Sequence, residues 1–135
     1  MNILPITSVI ALVLAIVMFM MTALVSLGRI NLGKSEGDIG KYPIEHGNHE
    51  PLKRRIAAFN NFTQYTPMAL IMLGLIEFNG ASVALVGSLG IAFILGRLLH
   101  LYGMLSNPHF PLPRIIGMFA TYAILLVPVV WLILT

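Results

Sequence analysis

The sequence predicts an all-α integral membrane protein in which one four-helix transmembrane bundle takes up residues 1–135. The chain is 58% hydrophobic and 10% charged, with a mean hydropathy of +0.91, unlike an ordinary soluble domain. Its length accommodates about four spans of about 20 residues each and leaves little for a domain outside the membrane. Segments rich in glycine, proline and charged residues interrupt the apolar runs, as loops between membrane helices do.

The first predicted span covers residues 4–27, an uncharged run that ends near Gly28 and Arg29. It is too long for the apolar part of a signal peptide, no Lys or Arg precedes it, and no small-residue cleavage pattern follows. We therefore expect a transmembrane helix here. Residues 29–53 combine several glycines and prolines with charges of both signs, which predicts a loop.

The second predicted helix starts after Pro51 and contains a span at 56–78, and a polar stripe leads into it. At 100° per residue, Arg54, Asn61 and the pair Gln64 and Tyr65 share one helical face. Amides in lipid are costly unless they meet a partner or a wet cavity. The stripe therefore predicts a site between helices at the membrane boundary, or else hydrogen bonds that only hold helices together.

The third and fourth predicted spans cover residues 81–105 and 115–135, and the proline-rich segment 106–113 separates them. Arg97 and His100 lie three residues apart, and therefore on one face of the third helix near its end. An arginine at that depth either extends to the interface or faces the interior of the bundle.

Basic residues mark one side of the membrane. In a four-span chain the first and third loops share a side, whereas the second loop and both termini carry no Lys or Arg side chain. The positive-inside rule then predicts cytoplasmic loops between spans 1 and 2 and between spans 3 and 4, with the N and C termini outside. The residues at or nearest that side are Arg29, Lys34, Lys41, Lys53, Arg54, Arg55, Arg97 and Arg114.

Charge and composition exclude several classes of function. The net charge is +3, but the basic residues adjoin apolar runs, so we expect no nucleic-acid partner. The chain has no cysteine, hence no disulfide and no thiolate ligand or nucleophile, and a reactive thiol would have to come from a ligand. Two histidines and two glutamates within 45–50 could bind zinc, but a solvated turn is favoured, so we expect no metal site.

Arginines from all four helices are expected at one level near the cytoplasmic side, namely Arg29, Arg54, Arg97 and Arg114. Guanidinium groups match the geometry of carboxylates, so such a cluster suits an anionic ligand that carries carboxylates. The alternative is that these side chains mostly meet lipid head groups.

The order and spacing of several short motifs resemble the MAPEG superfamily, membrane-associated proteins in eicosanoid and glutathione metabolism, and especially its small bacterial branch. The motifs are GDIG at 37–40, N-x-x-Q-Y-x-P at 61–67, L-I-E-x-N-G at 75–80, G-R-L-L-H-x-Y-G at 96–103 and R-I-I-G-M at 114–118. The resemblance covers nearly the whole chain.

This resemblance implies a homotrimer in the bacterial inner membrane, with glutathione as co-substrate between neighbouring subunits near the cytoplasmic side. It implies a glutathione transferase or peroxidase-like enzyme that acts on lipophilic electrophiles or hydroperoxides recruited from membrane lipid. Arg114 occupies the catalytic position that stabilises the glutathione thiolate in the family. The implied ligand-binding residues are Arg29, Arg54, Asn61, Gln64, Tyr65, Arg97, His100 and Tyr102.

Two positions depart from the family pattern. The arginine expected four residues before Asn61 is Ala57, and the glutamate expected three residues after it is Gln64. Gln64 cannot pair as an ion with the α-amino group of the tripeptide, and Arg54 replaces the missing arginine only in part. Both departures favour the alternative of a non-catalytic lipid- or small-molecule-binding membrane protein on the same scaffold.

A small efflux transporter is a further alternative. Such a protein needs an acidic residue near the middle of the membrane. Glu77 instead lies at the end of the second span opposite the basic residues, which disfavours this class.

Overall fold

The computed structural model describes residues 3–36, 49–106 and 111–135, and these residues form four α-helices. The helices are α1 (Pro5–Glu36), α2 (Glu50–Phe78), α3 (Val83–Leu105) and α4 (Leu112–Leu134). The predicted all-α, four-helix class is confirmed. The GDIG motif at 37–40 and most of the histidine-containing segment 45–50 lie outside the described residues.

Three of these helices are long and apolar enough to cross a membrane, with spans at 5–35, 83–105 and 112–134. Within the described residues, α2 does not reach the same hydropathy, because charged and amide side chains fill its N-terminal half. The part of α2 that follows Tyr65 is apolar up to Glu77. A membrane span at 56–78 therefore stays a prediction.

The predicted loop at 29–53 is wrong at its N-terminal end, because α1 continues two turns past Arg29 to Glu36. Leu32 is only 6% exposed, so the extension buries an apolar side chain that the charge pattern alone did not reveal. Lys34 lies in the last turn, where a cation is favoured by the helix dipole.

At the other end of this segment α2 begins at Glu50, two residues before the helix start predicted after Pro51. His49 caps the helix, and its Nδ1 accepts a hydrogen bond from the backbone N–H of Leu52 at 3.2 Å. Pro51 occupies the first turn, where its missing N–H costs nothing. Leu52 is almost fully buried, which ties this first turn to the core.

Glycine and serine form the turn between α2 and α3. Gly80 has φ of +86°, a left-handed conformation that glycine adopts without steric cost. Ser82 then caps α3 by accepting a hydrogen bond from the N–H of Leu85 at 3.3 Å.

α2 and α3 form the inner pair of the bundle, since each contacts all three other helices. α1 and α4 lie on either side and do not contact each other. The buried side chains of the core are apolar and come from all four helices: Ile10, Leu14, Met21, Ala58, Phe62, Ala69, Leu73, Ile76, Val86, Phe93 and Ile124.

Glycines bring α3 and α4 together at the level of the predicted site. A Cβ atom added at Gly117 would lie 2.6 Å from His100 Cβ and would also meet the carbonyl oxygen of Gly96. The two backbones therefore touch, as small residues allow between membrane helices. This contact sets the rotation of α3, and so the direction in which Arg97 points.

Glu77 joins α1 to α2 at the opposite end of the bundle. Its two carboxylate oxygens accept hydrogen bonds of 2.8 Å from the backbone N–H groups of Ile6 and Thr7 in the first turn of α1. These N–H groups have no partner within their own helix, and the positive end of the helix dipole favours the anion. The carboxylate is thus occupied by a structural role, which weakens the transporter alternative further.

Candidate functional site

Arg97 faces the interior of the bundle and is only 2% exposed. Its Nη1 donates to Asn61 Oδ1 on α2 at 3.0 Å. Its Nη2 donates to the carbonyl of Gly117 at 3.3 Å and to Thr121 Oγ1, both on α4. One guanidinium therefore links three helices, which resolves the alternative between interface and interior in favour of the interior.

Two aromatic rings enclose the same guanidinium. Its central carbon lies 5.7 Å from the centre of the Tyr65 ring and 5.4 Å from that of Phe93, within the range of cation–π attraction. The Nε of Arg97 is buried and has no hydrogen-bond partner in the described part of the chain. It is a buried donor that no described residue engages.

Thr121 is the partner that the sequence prediction missed. Its hydroxyl accepts a hydrogen bond from Arg97 and donates one to the Gly117 carbonyl at 2.9 Å. The side chain is completely buried. A sequence signal existed: Arg114, Gly117 and Thr121 are spaced by three and four residues, which places them on one face of α4.

Arg114 and His100 border an open groove of about 470 Å³ beside the first turns of α4. Apart from these two residues its lining is mostly apolar, and Phe119 and Tyr122 meet edge to face with ring centres 6.4 Å apart. The lining residues are His100, Pro111, Arg114, Ile115, Met118, Phe119 and Tyr122. We call this cavity the α4 groove.

Arg114 also borders a second cavity, of about 210 Å³, between the start of α2 and the end of α3. This cavity is basic, because Lys53 and Arg54 line it together with Arg114, and no acidic side chain of the described residues lines it. Ala57, the position where the family pattern has an arginine, lies in the same wall. We call it the basic cavity.

Close packing places Arg114 between these two cavities. Its side chain lies against Gly103 on α3, where an added Cβ would come within 2.6 Å of Arg114 Cγ. In the described part of the chain its guanidinium has no hydrogen-bond or ion-pair partner. It also lies in the first turn of α4, where the helix dipole attracts anions.

The other predicted site residues fall into two groups. Asn61, Tyr65 and His100 lie with Arg97 and Arg114 in or beside the region just described. Arg29, Gln64 and Tyr102 line none of the cavities described above: Arg29 is half-buried on α1, Gln64 is exposed on α2, and Tyr102 is 62% exposed on α3. A single chain does not bring these three side chains to the basic cavity or the α4 groove, so their role as ligand contacts stays a prediction.

The arrangement suits the binding of an anionic molecule and a lipophilic molecule side by side. A basic cavity with three cationic side chains can hold carboxylates, and the apolar α4 groove can hold a lipophilic molecule. Arg114 stands where the two would meet. Within the described residues, no group of three or more histidines or carboxylates could hold a metal ion.

Comparison with known proteins identifies the family that the motifs resemble. The model of the MAPEG family matches residues 7–134. The chain is also similar to the "Inner membrane protein YecN" of Escherichia coli strain K12 and of E. coli O6:H1 strain CFT073, at 35% identity over 57 residues in each case. That alignment covers 42% of this chain and 44% of each relative. No solved structure matches the chain.

Proposed function

This chain belongs to the MAPEG family, and on that premise we propose that it is a membrane-bound glutathione transferase or peroxidase-like enzyme. Its co-substrates would be glutathione and a lipophilic electrophile or hydroperoxide. The observation that carries the proposal is the place of Arg114, which borders both the basic cavity and the apolar α4 groove.

The basic cavity would hold the carboxylates of the tripeptide. Lys53 and Arg54 supply cationic donors there, and guanidinium groups pair with carboxylates through two parallel hydrogen bonds. The cysteine of the tripeptide would then point toward Arg114. The lipophilic co-substrate would enter the α4 groove directly from the bilayer, where Phe119 and Tyr122 form its apolar wall.

Arg114 would act by stabilising the thiolate of glutathione. A nearby guanidinium favours the charged form of a thiol and lowers its pKa, and the thiolate is the reactive nucleophile. Arg97, by contrast, would act mainly by holding Asn61, Tyr65 and the start of α4 in place, because its guanidinium is enclosed.

The family implies a homotrimer, and we propose that a neighbouring subunit closes the open sides of both cavities. Such a neighbour could bring Arg29, Gln64 and Tyr102, which are exposed or half-buried in one chain, to the ligand. We also place the protein in a bacterial inner membrane, as the name of its E. coli relatives states for them, with the basic side cytoplasmic and both termini outside.

A second function has its own support. Ala57 in the wall of the basic cavity and the exposed Gln64 remove two charges of the family pattern. A protein that binds a lipid or small molecule without turnover would keep the cavities and lose the catalytic step. Glutathione binding without conjugation is the result that would favour this function.

The test uses purified protein in detergent or liposomes, as wild type, Arg114→Ala and Lys34→Ala. Lys34 is an exposed cation on the same side of the bundle and lines neither cavity, so its variant controls for charge. Glutathione binding is measured by calorimetry, thiolate formation by ultraviolet absorbance across pH, and turnover with a lipophilic electrophile.

We expect bound glutathione to ionise at lower pH in the wild type and Lys34→Ala than in free solution, and conjugation to follow. Arg114→Ala should lose this shift in the ionisation of bound glutathione, and its turnover should fall at least tenfold. One charged contact is worth on the order of 1.5–3 kcal/mol. Equal thiolate formation in Arg114→Ala would contradict the assignment. Absence of glutathione binding in the wild type would overturn the proposed enzyme.

A further inference from the structure

Arg55 has no place in the proposed enzyme, yet it is held in a defined position. Its Nη1 donates to the carbonyl of Leu24 on α1 at 3.3 Å. The side chain crosses α1 at Gly28, where an added Cβ would lie 3.0 Å from the same Nη1. Gly28 thus leaves the notch in α1 that the guanidinium occupies.

A third cavity, of about 320 Å³, opens beside this guanidinium. Arg54 and Arg55 form its basic wall, whereas Leu24 and Leu105 form an apolar wall. It shares only Arg54 with the basic cavity and has no residue in common with the α4 groove. Three helices contribute to it, so it is a formed cavity and not a row of surface charges.

Among the described residues, no acidic side chain lines this cavity. The ion pair found in that part of the chain joins Lys53 to Glu50 at 3.4 Å. Arg55 makes one hydrogen bond within the described residues, although a guanidinium carries five N–H donors. An anion with several oxygens would use those donors, and phosphate matches the planar fork of arginine.

The position of the cavity along the predicted membrane spans indicates where such a phosphate would come from. Leu24 lies in the last turn of the predicted first span, Arg55 just before the second, and Leu105 at the end of α3. Leu24 and Leu105 are 39% and 38% exposed, so apolar surface continues from the cavity toward the membrane. Basic pockets at this level between membrane helices suit anionic phospholipids.

We propose that Arg54 and Arg55 bind the phosphate of an anionic phospholipid of the cytoplasmic leaflet, with its acyl chains along Leu24 and Leu105. The site shares Arg54 with the basic cavity, but Arg55, Leu24 and Leu105 belong to it alone, so its test at Arg55 does not depend on the proposed enzyme. Bound lipid would join α1 at Leu24 to the start of α2 and the end of α3, and so stabilise the bundle.

The experiment is native mass spectrometry of the full-length protein released from detergent, with three probes in parallel. Phosphatidylglycerol and phosphatidylcholine with identical acyl chains differ in net charge, and glycerol 3-phosphate offers phosphate without a chain. The variants are Arg55→Gln, Arg55→Lys, and Lys34→Gln as a control that removes an exposed cation outside the cavity.

We expect phosphatidylglycerol to bind more tightly than phosphatidylcholine, and Arg55→Gln to weaken it about fivefold, the weight of one basic side chain near an anionic surface. Arg55→Lys keeps the charge and should fall between wild type and Arg55→Gln. Lys34→Gln should bind as wild type does. An unchanged helical signal by circular dichroism would show that Arg55→Gln is folded.

Glycerol 3-phosphate that binds as tightly as the phospholipid, and depends on Arg55, would assign the site to soluble phosphates and overturn the lipid part of the proposal. Equal affinity of the wild type and both Arg55 variants for phosphatidylglycerol would overturn the site itself. If Lys34→Gln lost as much affinity for phosphatidylglycerol as Arg55→Gln, the site would also be overturned, because the total charge of the protein would then explain binding.

Discussion

Replacing Gly117 by alanine tests whether direct backbone contact between α3 and α4 positions the site. The added methyl would lie 2.6 Å from His100 Cβ and 3.0 Å from its backbone nitrogen, and would meet the carbonyl of Gly96. Backbone atoms cannot rotate away as a flexible side chain can, so the helices themselves must separate.

The separation and its cost follow from these distances. Carbon atoms pack best at about 3.5–4.0 Å, so the two helices would have to part by roughly 1 Å at this level. The hydrogen bond from Arg97 to the Gly117 carbonyl, already 3.3 Å long, would be lost. Overpacking costs about 1–3 kcal/mol and a hydrogen bond between membrane helices about 0.6 kcal/mol, so we expect a loss of about 2–4 kcal/mol.

The assay is unfolding in detergent, by heat and by denaturant, with Gly87→Ala as the matched control. Gly87 also lies in α3, but an added Cβ there meets no atom within 4 Å. We expect Gly87→Ala to equal or slightly exceed the wild type in stability, because alanine favours helix by up to about 1 kcal/mol. If Gly117→Ala were as stable as Gly87→Ala, α3 and α4 could not be in the contact described.

Two further substitutions test contacts at either end of the bundle. Asn61→Leu removes the acceptor of Arg97 Nη1, and we expect the unfolding free energy to fall by about 1–3 kcal/mol. Asn60→Leu, at an exposed neighbouring position, should change it little, and equal effects would contradict the buried network. Glu77→Gln weakens the double hydrogen bond to the start of α1, and we expect a loss of about 1 kcal/mol. Its control, Glu50→Gln at the exposed start of α2, should lose only a few tenths. A similar loss of stability in Glu77→Gln and Glu50→Gln would contradict the contact between Glu77 and the start of α1. Glutathione binding, measured by calorimetry, should remain unchanged in Glu77→Gln.

Apolar runs together with the glycine- and proline-rich segments between them predicted the four helices, although the hydropathy of α2 is lower than that of the other three. The polar stripe of α2 also predicted that Asn61 and Tyr65 would face a partner, and both meet Arg97. Gln64 precedes Tyr65 directly, so about 100° of helical rotation separates them. That difference leaves Gln64 exposed, although the sequence pattern placed it on the same helical face as Asn61.

The direction of Arg97 could not be predicted from its own helix. Whether an arginine near the end of a span extends to the interface or turns inward depends on the rotation of that helix. Here the rotation follows from contact between Gly96 and Gly117, which are 21 positions apart in the chain. The length of α1 was missed for a similar reason, since the burial of Leu32 depends on neighbours that the local charge pattern does not specify.

The contact between Glu77 and the start of α1 has a consequence for how the chain enters the bilayer during synthesis. By length and composition α1 is apolar enough to cross a membrane, whereas α2 falls below that hydropathy. If α2 crosses the membrane as predicted, it would enter as the second arm of a hairpin with α1, against which it packs. The carboxylate of Glu77 reaches the amides of Ile6 and Thr7 only when both arms have crossed. Formation of this contact would then mark completed insertion of the hairpin, before α3 and α4 close around Arg97.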